Sequence, residues 1–247
     1  MLCRLCLQEK PLADSHIIPE FLYKPLYDDK HQFKVVSTDA EVSDKSAQKG
    51  LREKLLCDDC EKRISKWENY TATFWNRKSQ KPKHYDNALV FPGVDYEKFK
   101  LFEMSLIWRC SVSSRTEFRN LKLGIPNDKH SLGYTRHEER LRRMLLEENP
   151  GEPHEYGCAI FYSPILTPRL KDGLINAGMK RWQGHGLYRL FIQGTFWVYT
   201  ISSHMQQFPF KGCFLQENGD LPIIKEHPLL DRWLKEYYNE LKSAGKI

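Results

Sequence analysis

An α+β fold in two parts, a small cysteine-stapled module followed by a larger mixed domain, is what this chain predicts. Three observations carry that expectation. Two Cys-x-x-Cys pairs, Cys3/Cys6 and Cys57/Cys60, stand in the first quarter of the chain. The residues behind the second pair, and two later stretches, repeat apolar side chains at the three- to four-residue period of helices. From Tyr156 onward the period changes to β-branched and aromatic runs bounded by glycine. Hydrophobic residues are 40% of the 247 and aromatics 13%, enough for a core, which excludes a wholly disordered chain.

The first part spans residues 1–80. Each cysteine pair delivers two sulfurs from one tight turn, and four thiolates in two pairs are what a tetrahedral structural Zn²⁺ needs. Cys3-Arg4-Leu5-Cys6 is therefore read as a metal knuckle. Ser15-His16-Ile17-Ile18-Pro19 should run extended, because the proline ring pushes Ile18 out of the helical region. Residues 28–50 are polar and aperiodic, which predicts a loop or loose hairpin. Residues 51–56 lead into the second knuckle. After Cys60, the positions Ile64, Trp67, Tyr70, Thr71 and Phe74 mark a helix, with Trp67, Tyr70, Phe74 and Trp75 read as core. A strand, a metal turn and a helix in that order give a zinc-stapled treble-clef or ββα module.

Residues 81–92, with Pro82 and Pro92, read as a linker. The second part, residues 93–247, is a larger mixed α+β domain. Helices are predicted over 96–113 and 135–147, the latter a surface helix in which Arg136, Arg140, Arg142 and Arg143 alternate with Glu138, Glu139, Glu147 and Glu148. Strands are predicted over 158–162, 188–193, 195–202 and 221–224, with Asn218-Gly219 as a hairpin turn. A closing helix over 228–242 carries an apolar stripe through Leu229, Leu230, Trp233, Leu234, Tyr237, Tyr238 and Leu241. No motif in this part assigns it a role.

Three further cysteines, Cys110, Cys158 and Cys213, sit among apolar residues and read as buried free thiols in a reducing cytosol. The first residues are too polar downstream for a signal peptide, and no apolar run approaches the roughly 18 residues that span a bilayer. A cytoplasmic protein with no membrane partner is expected. The net charge of +6 leans toward a polyanionic partner without deciding it.

Cys3-x-x-Cys6, Ser15-His16-Ile17-Ile18-Pro19 and Leu56-Cys57-x-x-Cys60-Glu61 together resemble the HNH (ββα-metal) endonuclease superfamily in its zinc-bound treble-clef branch. The resemblance covers about residues 1–75 and implies phosphodiester hydrolysis in nucleic acid, with a prokaryotic defence setting. It makes His16 the general base that takes a proton from water, assisted by one divalent cation such as Mg²⁺ or Mn²⁺. A histidine's ordinary pKa near 6.5 suits that task. The chain departs from the family pattern in three places. Ser15 stands where an aspartate or histidine ligand is common, and the asparagine ahead of the second knuckle is missing. Glu61 replaces a histidine after the last cysteine. Glu61 is a candidate cation ligand, and equally a carboxylate that balances the helix N-terminus; Glu68, two turns on, faces the same side.

Around that helix, Lys62, Arg63, Lys66, Arg77 and Lys78 are candidate phosphate contacts, facing DNA ahead of RNA. The chain therefore predicts a metal-dependent endonuclease, with control by an activating protein partner left open. The alternative is a catalytically inert zinc module that binds nucleic acid or a protein.

Overall fold

A computed structural model of the chain describes residues 1–37, 41, 43–76, 81–124, 133–162, 173–192, 194–202, 211–225 and 228–245. Strand β1 (Leu12–His16) ends where Pro19 holds an extended backbone, and the short helix α1 (Glu20–Tyr23) starts behind it, continued by a 3-10 turn at Lys24–Leu26. Strands β2 (Phe33–Ser37) and β3 (Lys45–Ala47) follow, then β4 (Arg52–Cys57) and, without a break, helix α2 (Asp58–Trp75). β1 and β4 pair antiparallel, with His16 opposite Arg52 and Ser15 opposite Glu53. The first module is thus a two-stranded sheet followed by a helix, the ββα order that the sequence predicts.

Helix α2 forms because Cys60, Ile64, Trp67, Thr71 and Phe74 recur on one buried face, while Asp58, Asp59 and Glu61 place negative charge at its positive end. Trp67 and Phe74 are core, as expected, while Tyr70 and Trp75 are partly buried and pack against it. Phe74 packs edge-on against Phe99, and Trp75 lies 5.4 Å from Trp197.

The expected linker is not one. Lys83–His84 and Ala88–Phe91 are strands β5 and β6. Helix α3 (Tyr96–Val112) follows and is buried on every face from Phe99 to Val112. A 3-10 turn at Thr116–Leu121 and helix α4 (Arg136–Leu146) lead to strands β7 (Cys158–Tyr162), β8 (Gly173–Trp182), β9 (His185–Ile192) and β10 (Thr195–Ile201). The chain closes with β11 (Leu221–Ile224) and helix α5 (Pro228–Ser243). Among the described residues nine strands make one mixed sheet, ordered β3-β2-β8-β9-β10-β7-β11-β6-β5.

The structure refines several expectations. The aperiodic segment 28–50 supplies β2 and β3, which pair antiparallel as the hairpin alternative expected, and β2 also runs parallel beside β8, which the sequence did not foresee. Lys180, Arg181 and Trp182 end β8, a strand absent from the sequence prediction, whose register shifts between Asn176 and Met179, where Gly178 sits at φ +64°. Asn218-Gly219 makes a turn, closed by Gln216 N to Asp220 O at 3.0 Å, but β11 then lies parallel to β7 and no hairpin forms. Gly219 is required there: at φ +81° its Cβ would stand 2.5 Å from the Val94 carbonyl oxygen. Finally, α4 is a surface helix on one side only: Arg136, Arg140 and Arg143 are exposed and Glu139 pairs with Arg142 and Arg143, but Glu138 and Arg142 are buried. The predicted end of β9 at Gln193, and the side chains of Leu229, Leu230, Trp233, Leu234 and Tyr237, lie outside the described residues.

One buried cluster runs from Cys3, Leu5 and Trp67 through Phe102 and Trp108 to Trp197 and Leu215, so the cysteine module and the large sheet share a core. Along β10, Trp197 and Tyr199 enter this core while Phe196 and Val198 enter a second cluster with Leu241 of α5. The sheet is therefore covered on both faces around β10. No helix among the described residues is long and apolar enough to cross a membrane.

Candidate metal centre and histidine site

The first knuckle is shaped by Leu7, which at φ +58° turns its N–H back to the Cys3 carbonyl at 2.9 Å. The Arg4 N–H donates to Leu55 O of β4 at 3.0 Å, and the Cys57 N–H approaches Cys3 Sγ at 3.3 Å. These bonds bring both pairs together: the four sulfurs of Cys3, Cys6, Cys57 and Cys60 lie within 4.8 Å of one another. Cys6 and Cys57 stand 3.8 Å apart, and all seven cysteines are free thiols. Crowding sets their acidity. The Cys60 thiol and nearby backbone N–H groups hold Cys3 down at about 4, while the hydrogen bond to Cys3 pushes Cys60 far up and burial raises Cys6. Four sulfurs at this spacing fit a tetrahedral ion of the zinc class, with no coordination position left over.

The second part of the chain clamps the knuckle. Tyr134 donates to Arg4 O at 2.8 Å beneath the Arg4 guanidinium, and Arg142 donates to Leu5 O at 2.8 Å while paired with Glu139. These contacts explain why Arg142 is buried. No local pattern announces them, because they join residues more than a hundred positions apart.

His16 closes β1 with its side chain one-quarter exposed. Its Nε2 lies 3.1 Å from Glu20 Oε2. Burial, then the Arg52 guanidinium across the strand pair, holds the imidazole below its ordinary pKa, against the pull of Glu20. The ring is therefore neutral near pH 7, as a proton acceptor must be. The His16 carbonyl accepts from Arg109 Nη1 at 2.8 Å. Arg109, itself 1% exposed on α3, makes a 2.6 Å ion pair with Glu68 of α2.

Ser15 is buried and structural: its hydroxyl accepts from the Leu56 N–H at 3.1 Å. Glu61 is half-buried, with Oε1 lacking a hydrogen bond. Burial raises its pKa, opposed by the Ser15 hydroxyl and by Arg109. The structure thus gathers Ser15, Glu61, Glu68 and Arg109 under the strand that carries His16. It does not draw His16, Glu61 and Glu68 to ion-sharing distance; among the described residues only the cysteine tetrad is that close.

Of the predicted phosphate contacts, Lys62 and Lys66 are exposed on α2. Arg63 is not available, because it donates to Leu146 O at the end of α4 and pairs with Glu148 at 3.4 Å. Arg77 and Lys78 lie outside the described residues. Sequence reasoning passed over Glu20 and Arg109. Glu20 was legible as an acid four residues after His16, whereas Arg109, inside an apolar helix, carried only the signal of a charge in a hydrophobic run. Comparison of the chain with family models, with curated proteins and with solved structures found no match.

Proposed function

We propose that this protein is a metal-dependent endonuclease of the HNH type, hydrolysing phosphodiester bonds in nucleic acid, DNA ahead of RNA. The observation that carries the reading is His16: a neutral, partly exposed imidazole at the end of β1, in a β1–β4–α2 unit stapled by four cysteines. In this reading Zn²⁺ fills the tetrad and is structural. His16 accepts a proton from water, whose oxygen attacks phosphorus. Glu61, with its unpartnered buried oxygen, is the carboxylate that would hold Mg²⁺ or Mn²⁺. Such a cation, when bound, neutralises charge on the phosphoryl and leaving oxygens. Lys62 and Lys66 offer exposed charge for phosphates along α2. Four reduced thiols suit a cytoplasmic protein.

A second reading has its own observation. The Arg109 guanidinium, paired with Glu68 and close enough to lower Glu61, already supplies positive charge where a cation would sit. This favours an inert zinc module that binds nucleic acid or a protein. Plasmid-nicking and RNA-degradation assays with Mg²⁺, Mn²⁺ or EDTA separate the two. Cleavage that needs the cation and falls about 100-fold or more in zinc-loaded His16→Ala supports the nuclease. Equal behaviour of the two folded proteins removes His16 as base and leaves the binding module.

A further inference from the structure

We infer that Glu20, held in turn by Tyr27, is the positioning residue that fixes the orientation and tautomer of the His16 imidazole. The inference rests on the nuclease reading for its catalytic meaning, but its geometry stands alone. Pro19 ends the extended stretch after β1, and Glu20 is the first residue of α1, so its side chain turns back toward His16 four residues earlier. Both carboxylate oxygens have defined partners. Oε2 lies 3.1 Å from His16 Nε2, and Oε1 accepts from the Tyr27 hydroxyl at 2.9 Å. The Tyr27 ring is stacked on His31, with centroids 3.9 Å apart and planes 13° from parallel. Burial and the adjacent carboxylate push the Tyr27 phenol up to about 12, so it remains a donor. Gly50 leaves the room that this arrangement needs. A Cβ there would come within 3.1 Å of Glu20 Oε2 and 2.6 Å of a Tyr23 ring carbon.

The chemistry follows from what a carboxylate can do. Ionised Glu20 only accepts hydrogen bonds, so the neutral imidazole must carry its proton on Nε2. Nδ1 is then the free acceptor, and among the described residues no hydrogen bond to it is formed. Arg109 holds the His16 carbonyl at 2.8 Å, so the residue is fixed at both backbone and ring. In the proposed step the water O–H bond breaks and its proton passes to Nδ1. The oxygen's electron pair forms the new O–P bond, and the P–O bond to the leaving oxygen breaks with its pair. The leaving oxygen then takes a proton from solvent.

The test uses the zinc-loaded full chain, labelled with ¹⁵N at histidine, as wild type, Glu20→Gln, Glu20→Ala and Tyr27→Phe. Imidazole ¹⁵N shifts report the tautomer and titration of His16 without substrate, and zinc content with thermal unfolding reports integrity. The expected wild-type spectrum is that of a ring protonated on Nε2. In Glu20→Gln, isosteric and uncharged, the His16 titration moves to lower pH; in Tyr27→Phe it moves less. In the cleavage assay Glu20→Ala loses at least about tenfold in kcat with little change in KM, and Glu20→Asp restores part of it. A wild-type ring protonated on Nδ1, or a titration unchanged in Glu20→Gln, overturns the inference. A shifted titration in a wild type that cleaves nothing keeps the positioning role and rejects the nuclease reading.

Discussion

Glu103 is fully buried on α3, and neither of its carboxylate oxygens finds a hydrogen bond. Lys100, one turn earlier, turns its ammonium to the carbonyls of Pro153 and Tyr156, each at 3.2 Å. Burial pushes the Glu103 carboxyl up to about 8, with Lys100 as the opposing influence. The unfolded chain keeps the ordinary carboxylate value, so the folded state binds the extra proton. The stability that Glu103 contributes is full below that ordinary value and is lost as pH rises through about 8. We expect the unfolding free energy to fall across this window, by on the order of a few kcal/mol. Glu103→Gln, neutral at every pH, should flatten the slope in urea unfolding run at a series of pH values. A wild-type curve without that slope would show the carboxyl to be ionised inside the fold.

At the scale of the element, α4 shows how caps and charges are used together. Thr135 Oγ1 accepts from the Glu138 N–H at 3.1 Å, and Glu138 Oε2 accepts from the Thr135 N–H at 2.8 Å, a closed capping box. Thr135 also donates to Leu123 O at 2.7 Å, and the other Glu138 oxygen takes the Ser111 hydroxyl. The Thr-x-x-Glu spacing is written in the sequence, but a helix rich in Arg and Glu reads as solvated. Only packing against α3 shows that Glu138 is a buried cap. Thr135→Ala should cost about 1–2 kcal/mol in denaturant unfolding, with zinc stoichiometry unchanged. A loss below a few tenths would mean that water replaces the cap. The opposite end of the helix is held by Arg63 of α2, which is why that arginine is unavailable to a phosphate.

At the scale of the molecule, the shared core decides how the chain responds to metal. Cys3, Leu5 and Cys57 sit in the same buried cluster as Trp108 and Trp197, and Arg142 and Tyr134 hold the knuckle from the far half of the chain. Loss of the ion should therefore not melt a detachable module alone. Metal binding of this kind contributes on the order of 10 kcal/mol to folding. Titration with a strong chelator should lower tryptophan fluorescence and far-ultraviolet circular dichroism together, in one transition. Cys60→Ser should behave as the chelated protein does. Two separated transitions, the first leaving the Trp197 environment intact, would restore an independent cysteine module.

The sequence by itself determined the elements whose signal is local. The knuckles rest on cysteine spacing, α2, α3 and α4 on apolar period, and β7, β9, β10 and β11 on β-branched and aromatic runs. It also brought the two cysteine pairs together, because four ligands to one point must converge whatever lies between them, but not His16, which ends β1 opposite Arg52 while Cys57 pairs with Leu12 at the strand's start. The tertiary structure alone decided what joins distant segments. The polar stretch behind Tyr27 became β2 and β3 because β8, far along the chain, offers an edge to pair with. The expected linker became β5 and β6 because β11 needs a neighbour. Arg63, Arg109 and Arg142 read as surface charge or as noise in a helix, and each is committed to a carbonyl or carboxylate on another element. Periodicity reports which face of a segment is apolar; it holds no information about which partner will satisfy a buried charge, and that partner exists only once the chain has closed on itself.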